Sequence, residues 1–157
     1  LNDILSVNIR NDATFRQFVR LNCNCDLDIM GLFKNIFKTS EPKEEKRLPW
    51  IALNTIDQLR DIEGKSKTKT QVIFKHSTRC GISRMVMNQF IEAYDVDANL
   101  DLYYLDLLSY REVSNEVGYK FQVMHESPQL LVIKNGIVVT HASHGAINGL
   151  DLSNFTE

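Results

Sequence analysis

The chain has 157 residues, 43% hydrophobic and 24% charged, enough for one globular core and too few for two comfortable domains. A net charge of −2 and a pI near 6.1 leave no electrostatic footprint for nucleic acid. The longest apolar runs, such as Leu130-Leu131-Val132-Ile133, fall far short of the ~20 residues a bilayer span needs, and no charged-then-apolar leader opens the chain.

Three cysteines, Cys23, Cys25 and Cys80, are too few and odd in number for a disulfide framework, which points to a reducing cytoplasm. The first 29 residues show no clean period. Phe15, Phe18, Val19 and Leu21 mark a short helix with no committed packing partner. Met30-Gly31-Leu32-Phe33 has the look of a natural start, so residues 1–29 are expected to be an upstream extension, partly an artefact of annotation. Leu32, Phe33, Ile36 and Phe37 share one face of a short amphipathic helix, expected to cap the domain or form a loose arm rather than to contact a membrane. The polar, mixed-charge run TSEPKEEKR over 39–47 reads as a linker. Residues 1–47 are therefore expected to be an extension and linker, in part disordered, and 48–157 the folded domain.

From Leu48 the pattern sharpens. Residues 49–53 form a short strand, with Asn54 as a helix N-cap and Asp57 in the first turn. Ile56, Leu59 and Ile62 give an apolar stripe that Gly64 ends. Lys65 to Lys69 is a basic loop. Val72-Ile73-Phe74 is apolar without alternation, so the strand over 71–75 needs cover on both faces. Cys80 then opens a helix whose apolar positions run from Met85 to Tyr94, and 100–107 is a second strong strand. Ser109 and Glu112 fit a capping box for a helix that continues through Val113 and Val117 and stops at Gly118. Pro128 precedes a strand over 129–134, Asn135-Gly136 is a strong hairpin signal, and 137–140 returns. A short helix is expected after Gly145. The order β-α-β-α-β-α-β-β-α predicts an α/β fold: a central mixed sheet, parallel through right-handed crossovers, flanked by helices and closed by a C-terminal hairpin. With a cysteine where the second strand meets its helix, that is a thioredoxin-like fold.

A thiol attacks only as the thiolate. A helix N-terminus concentrates unpaired N–H groups equivalent to about half a positive charge, which favours the anion. Arg79 and Arg84 flank Cys80, with Lys75 and His76 upstream, and cations within reach act in the same direction. Cys80 is thus expected to be a reactive cysteine with a depressed pKa rather than an inert core residue, since the latter has no use for the polar lead-in Ser77-Thr78-Arg79. Three residues on stands Ser83, so no internal disulfide can close, and an adduct on Cys80 must be released by an external thiol or by Cys23 or Cys25. Ser83 is either a hydrogen-bond donor to the thiolate or an ordinary first-turn residue. Pro128, placed just before a central strand where proline is otherwise disfavoured, is expected to be cis and to leave Ser127 with free backbone groups for an extended disulfide substrate. His141 and His144 match no standard metal spacing and read as surface residues, so no metal is expected. Cys23-Asn24-Cys25 reads as incidental rather than as a metal or resolving pair.

The stretches from Phe74 to Met85, Tyr103 to Leu108 and His125 to Leu130 resemble the YtxJ family of bacillithiol-system proteins, the monothiol bacilliredoxins, over about Trp50 to Leu152. Gly81 stands where relatives often carry proline, and resembles the Cys-Gly-Phe-Ser motif of monothiol glutaredoxins. The resemblance implies a thiol-disulfide oxidoreductase that reduces mixed disulfides between proteins and a small thiol such as bacillithiol, reset by a second thiol or a partner reductase. It implies no metal or organic cofactor. Cys80, Ser83 and Arg79 are the expected catalytic residues; Ser77, Thr78, Gly81, Ser127 and Pro128 are expected to bind substrate. Two rivals stand beside this reading: an iron–sulfur cluster held between two Cys80 thiolates, and a non-catalytic adaptor binding through the Pro128 face.

Overall fold

A computed structural model describes residues 46–156. The expectations for the extension, the amphipathic helix, most of the linker, Cys23 and Cys25 lie outside the described residues. The elements follow as β1 (Trp50–Ala52), α1 (Asp57–Lys65), β2 (Thr70–His76), α2 (Gly81–Ala93), β3 (Leu100–Asp106), α3 (Arg111–Phe121), β4 (Gln129–Lys134) and β5 (Ile137–Ser143). In place of the single expected last helix come two short 3₁₀ helices, His144–Gly149 and Leu152–Phe155.

The five strands form one sheet in the order β1-β3-β2-β4-β5. β1, β3 and β2 run parallel, while β4 is antiparallel to β2 and to β5. The unalternating run in β2 is explained by cover on both faces. Val72 and Phe74 meet Val86 and Phe90 of α2 and Ile147. Ile73 meets the other layer, with Leu59 and Ile62 of α1 and Val113, Val117 and Phe121 of α3. Phe74 lies between Phe90, at 5.1 Å, and Trp50, at 6.0 Å edge-on, in an aromatic cluster that roots α2 on the sheet.

Three local expectations fail, the first two because another residue supplies the polar group. Asn54 caps nothing: its N–H and that of Thr55 donate to Gln58 Oε1, whose amide nitrogen returns a bond to Ala52 O. The capping box of Ser109 and Glu112 does not form, because the Ser109 hydroxyl donates to Asp106 Oδ2 at 2.7 Å and α3 starts after Tyr110. Neither Gly64 nor Gly118 ends its helix. α3 continues because Phe121 extends the buried stripe, and it stops at Gln122 in the left-handed region, φ 55. The hairpin forms as expected, with Asn135 at φ 53 and Gly136 at φ 81. It is pinned by Ser66, whose carbonyl accepts Asn135 N–H and whose hydroxyl accepts Gly136 N–H at 2.7 Å.

Candidate active site

β2 ends at His76, and the chain turns through Ser77-Thr78-Arg79 with Cys80 N–H donating to Ser77 O at 3.1 Å. Cys80 is the N-cap of α2: its backbone is extended and its carbonyl accepts the N–H of Arg84 at 3.1 Å. The amides of Gly81, Ile82 and Ser83 precede that first bond and have no acceptor within the helix. Cys80 stands at the end where these donors collect, its thiol free and half-buried, with no cap bond from its side chain. Arg79 and Arg84 are exposed beside it; Arg84 Nη2 reaches Thr78 O only at 3.4 Å.

Ser83 is fully buried. Its hydroxyl accepts Ser77 N–H at 3.1 Å and pairs with His76 Nδ1 at 2.8 Å, so it ties the loop before Cys80 to the first turn after it. Burial holds His76 below the usual histidine range, against the nearby carboxylate of Asp106 and with the help of Arg84. Asp106, at the end of β3, holds the loop that follows its own strand. It accepts Leu108 N–H and the Ser109 hydroxyl, and these bonds outweigh the upward push of burial and hold its carboxyl low. Thr78 Oγ1 lies 3.5 Å from Asp106 Oδ1, at the limit of contact.

The bond between Ser127 and Pro128 is cis. Pro128 is buried and leads into β4, its carbonyl accepting His144 N–H at 3.0 Å, while the Ser127 hydroxyl is buried without a partner among the described residues. His141 and His144 are exposed, and no cluster of three potential metal ligands exists among the described residues. Lys75, read from sequence as one more cation near the thiol, lies on the opposite face of β2 from His76. It shares the α1/α3 side with Ile73, and its Nζ contacts His125 and Gln129. His125, Gln129 and Asp106 enter the sequence reading only as parts of motifs; the legible signal is a lysine directly after the apolar run Val72-Ile73-Phe74.

Gly81 has no positive φ and open space where a Cβ would stand. Gly81→Ala is therefore expected to stabilise the fold by about 0.5 kcal/mol in urea unfolding, through the entropy of the unfolded chain. A loss of stability would show that the backbone there needs glycine. Proline also fits this first helical position, but removes one of the amides beside Cys80.

Comparison with known proteins agrees with this geometry. A solved candidate oxidoreductase with a thioredoxin fold is 36% identical, covering 63% of this chain and 86% of its own, with a TM-score of 0.55. Thioredoxins of Malassezia sympodialis (22% identity, 70% and 87% covered, TM-score 0.52) and Fasciola hepatica (17%, 68% and 98%, 0.53) share the fold. The family model for monothiol bacilliredoxin BrxC matches residues 51–152, from within β1 to the first residue of the second 3₁₀ helix. With that model matched over well over half of the chain, and a thioredoxin-like sheet carrying a thiol at the head of α2, the chain belongs to the monothiol bacilliredoxin family and is a thiol-disulfide oxidoreductase.

Proposed function

We propose that the chain reduces mixed disulfides between proteins and a small thiol, bacillithiol, with Cys80 as the attacking group. The observation that carries this is a single half-exposed thiol at the head of α2, with Ser83 buried on His76 where a resolving cysteine would stand. The Cys80 thiolate attacks the small-thiol sulfur of the mixed disulfide. The S–S bond breaks, the protein thiolate leaves and takes a proton from water, and Cys80 is left bound to the small thiol. A second small-thiol thiolate attacks that adduct and releases Cys80, so one free small thiol is consumed and leaves as a disulfide with the small thiol taken from the protein, as the mixed disulfide is reduced to a protein thiol. The amides of Gly81, Ile82 and Ser83 favour the negative sulfur at the start and the end of the cycle. Exposed Ile82 and Met85 offer thiolated proteins apolar contact beside the thiol. Ser77, Thr78, Ser127 and Pro128 frame the approach, and Arg79 adds positive charge. The cycle needs no metal or organic cofactor; a partner reductase recovers the small thiol, and the reducing cytoplasm is the compartment that suits it. Among the described residues no helix is long and apolar enough to cross a membrane.

Intact-mass measurement after mixing with oxidised bacillithiol, and separately with oxidised glutathione, tests the reading. One bacillithiol adduct on Cys80 is expected, removed by free bacillithiol. An equal glutathione adduct would overturn the thiol preference, and no adduct from either would overturn the exchange reaction. Brown protein with visible absorbance would instead favour a cluster.

A further inference from the structure

Lys75 is fully buried on β2. Among the described residues no carboxylate meets it: its Nζ lies 3.0 Å from His125 Nδ1 and 3.2 Å from Gln129 Oε1. A buried ammonium without an anion is costly, and a methionine would fill much the same volume without that cost. An ammonium has no lone pair, so Nδ1 must accept and His125 carries its proton on Nε2. That fits His125 being held below the usual range by burial, and then by Lys75 and Arg111.

All the bonds of this buried group lead to one place. Gln129 Oε1 also takes Glu126 N–H at 3.4 Å, and Gln129 Nε2 donates to Met124 O at 2.9 Å. Met124, His125 and Glu126 lie outside helix and strand, and among the described residues their hydrogen bonds run to Lys75 and Gln129. Ser127 and the cis Pro128 follow directly. We infer that Lys75 is a positioning residue for the exchange reaction: through His125 and Gln129 it holds residues 124–127 in the path along which the peptide around a thiolated cysteine lies beside Cys80. The inference rests on the exchange reading above.

The test compares a protein–bacillithiol mixed disulfide with oxidised bacillithiol as substrates for Lys75→Met, His125→Ala and the double variant. An extended peptide uses the segment and a small disulfide does not. The ratio of kcat/KM for thiolated protein over that for oxidised bacillithiol is expected to fall about tenfold in each single variant, through KM, as for one lost charge-assisted hydrogen bond. The double variant is expected to fall no further than the larger single loss, because both substitutions break one contact. Side-chain nitrogen NMR is expected to show His125 protonated on Nε2 in the wild type, with the preference lost in Lys75→Met. An unchanged ratio, or single losses that multiply, would overturn the inference. If Lys75→Met fails to fold, the ratio for His125→Ala, which leaves the buried lysine in place, decides it. Wild-type protein inactive on both substrates would instead overturn the exchange reading itself.

Discussion

Cys80→Ser is expected to lose exchange by about 10³-fold or more, since an alcohol at neutral pH supplies almost no nucleophilic anion and leaves poorly from the second step. Release of the small thiol from a protein mixed disulfide, followed by mass, reads the loss. The fold is expected to stay within about 0.5 kcal/mol of wild type in urea unfolding, because the substitution is nearly isosteric and the thiol is half-buried without a cap bond. A residual rate within tenfold of wild type would mean that some other group carries the chemistry. Ser83 is a poor candidate to stand in for it: its hydroxyl is fully buried and engaged with His76 and Ser77.

Much of this site was legible because it depends on chain-local features. Three apolar residues in succession fixed β2 as a central strand, and a polar turn followed by helical periodicity placed Cys80 at a helix start. A proline before an apolar strand pointed to Ser127-Pro128. Contacts between distant residues were not legible. Nothing in the spacing of Gln58 or Asp106 says that their side chains serve the helix starts better than Asn54 or Ser109. The approach of His76 to Ser83 depends on how the loop between them folds back. Lys75 is the instructive case. Sequence proximity to Cys80 suggested a shared electrostatic role, yet alternation along β2 sends its side chain to the α1/α3 face, where Gln129 is its neighbour in register across β4. The period of a strand, applied strictly, separates Lys75 from the thiol's face; only the tertiary structure supplies His125.

Lys75 also makes stability rise as the solution becomes alkaline. Its ordinary value is 10.5, and burial brings the folded value down to about 8. Between those two pH values the unfolded chain holds the proton more tightly than the folded one, so each step upward in pH favours the folded state. Below pH 8 both states are charged and this gain is absent. Tyr103 works in the other direction: burial first, then Asp101 and Asp61, raise it to about 12, so above its ordinary value of 10.0 the unfolded state is favoured. The window for Lys75 alone is therefore about pH 8 to 9.5, and the expected gain across it is about 1–2 kcal/mol. Urea unfolding at the two pH values, in the Cys80→Ser background, measures it. Lys75→Met in the same background is expected to lack the rise and to match or exceed its parent at pH 7, where it replaces a buried charge by apolar volume. Equal pH dependence in the two chains would show that the amine is not desolvated in the folded protein. The comparison also separates two causes of a failing Lys75→Met protein: a chain at least as stable as its parent, yet worse with thiolated protein, has lost the placement of residues 124–127 and not its fold.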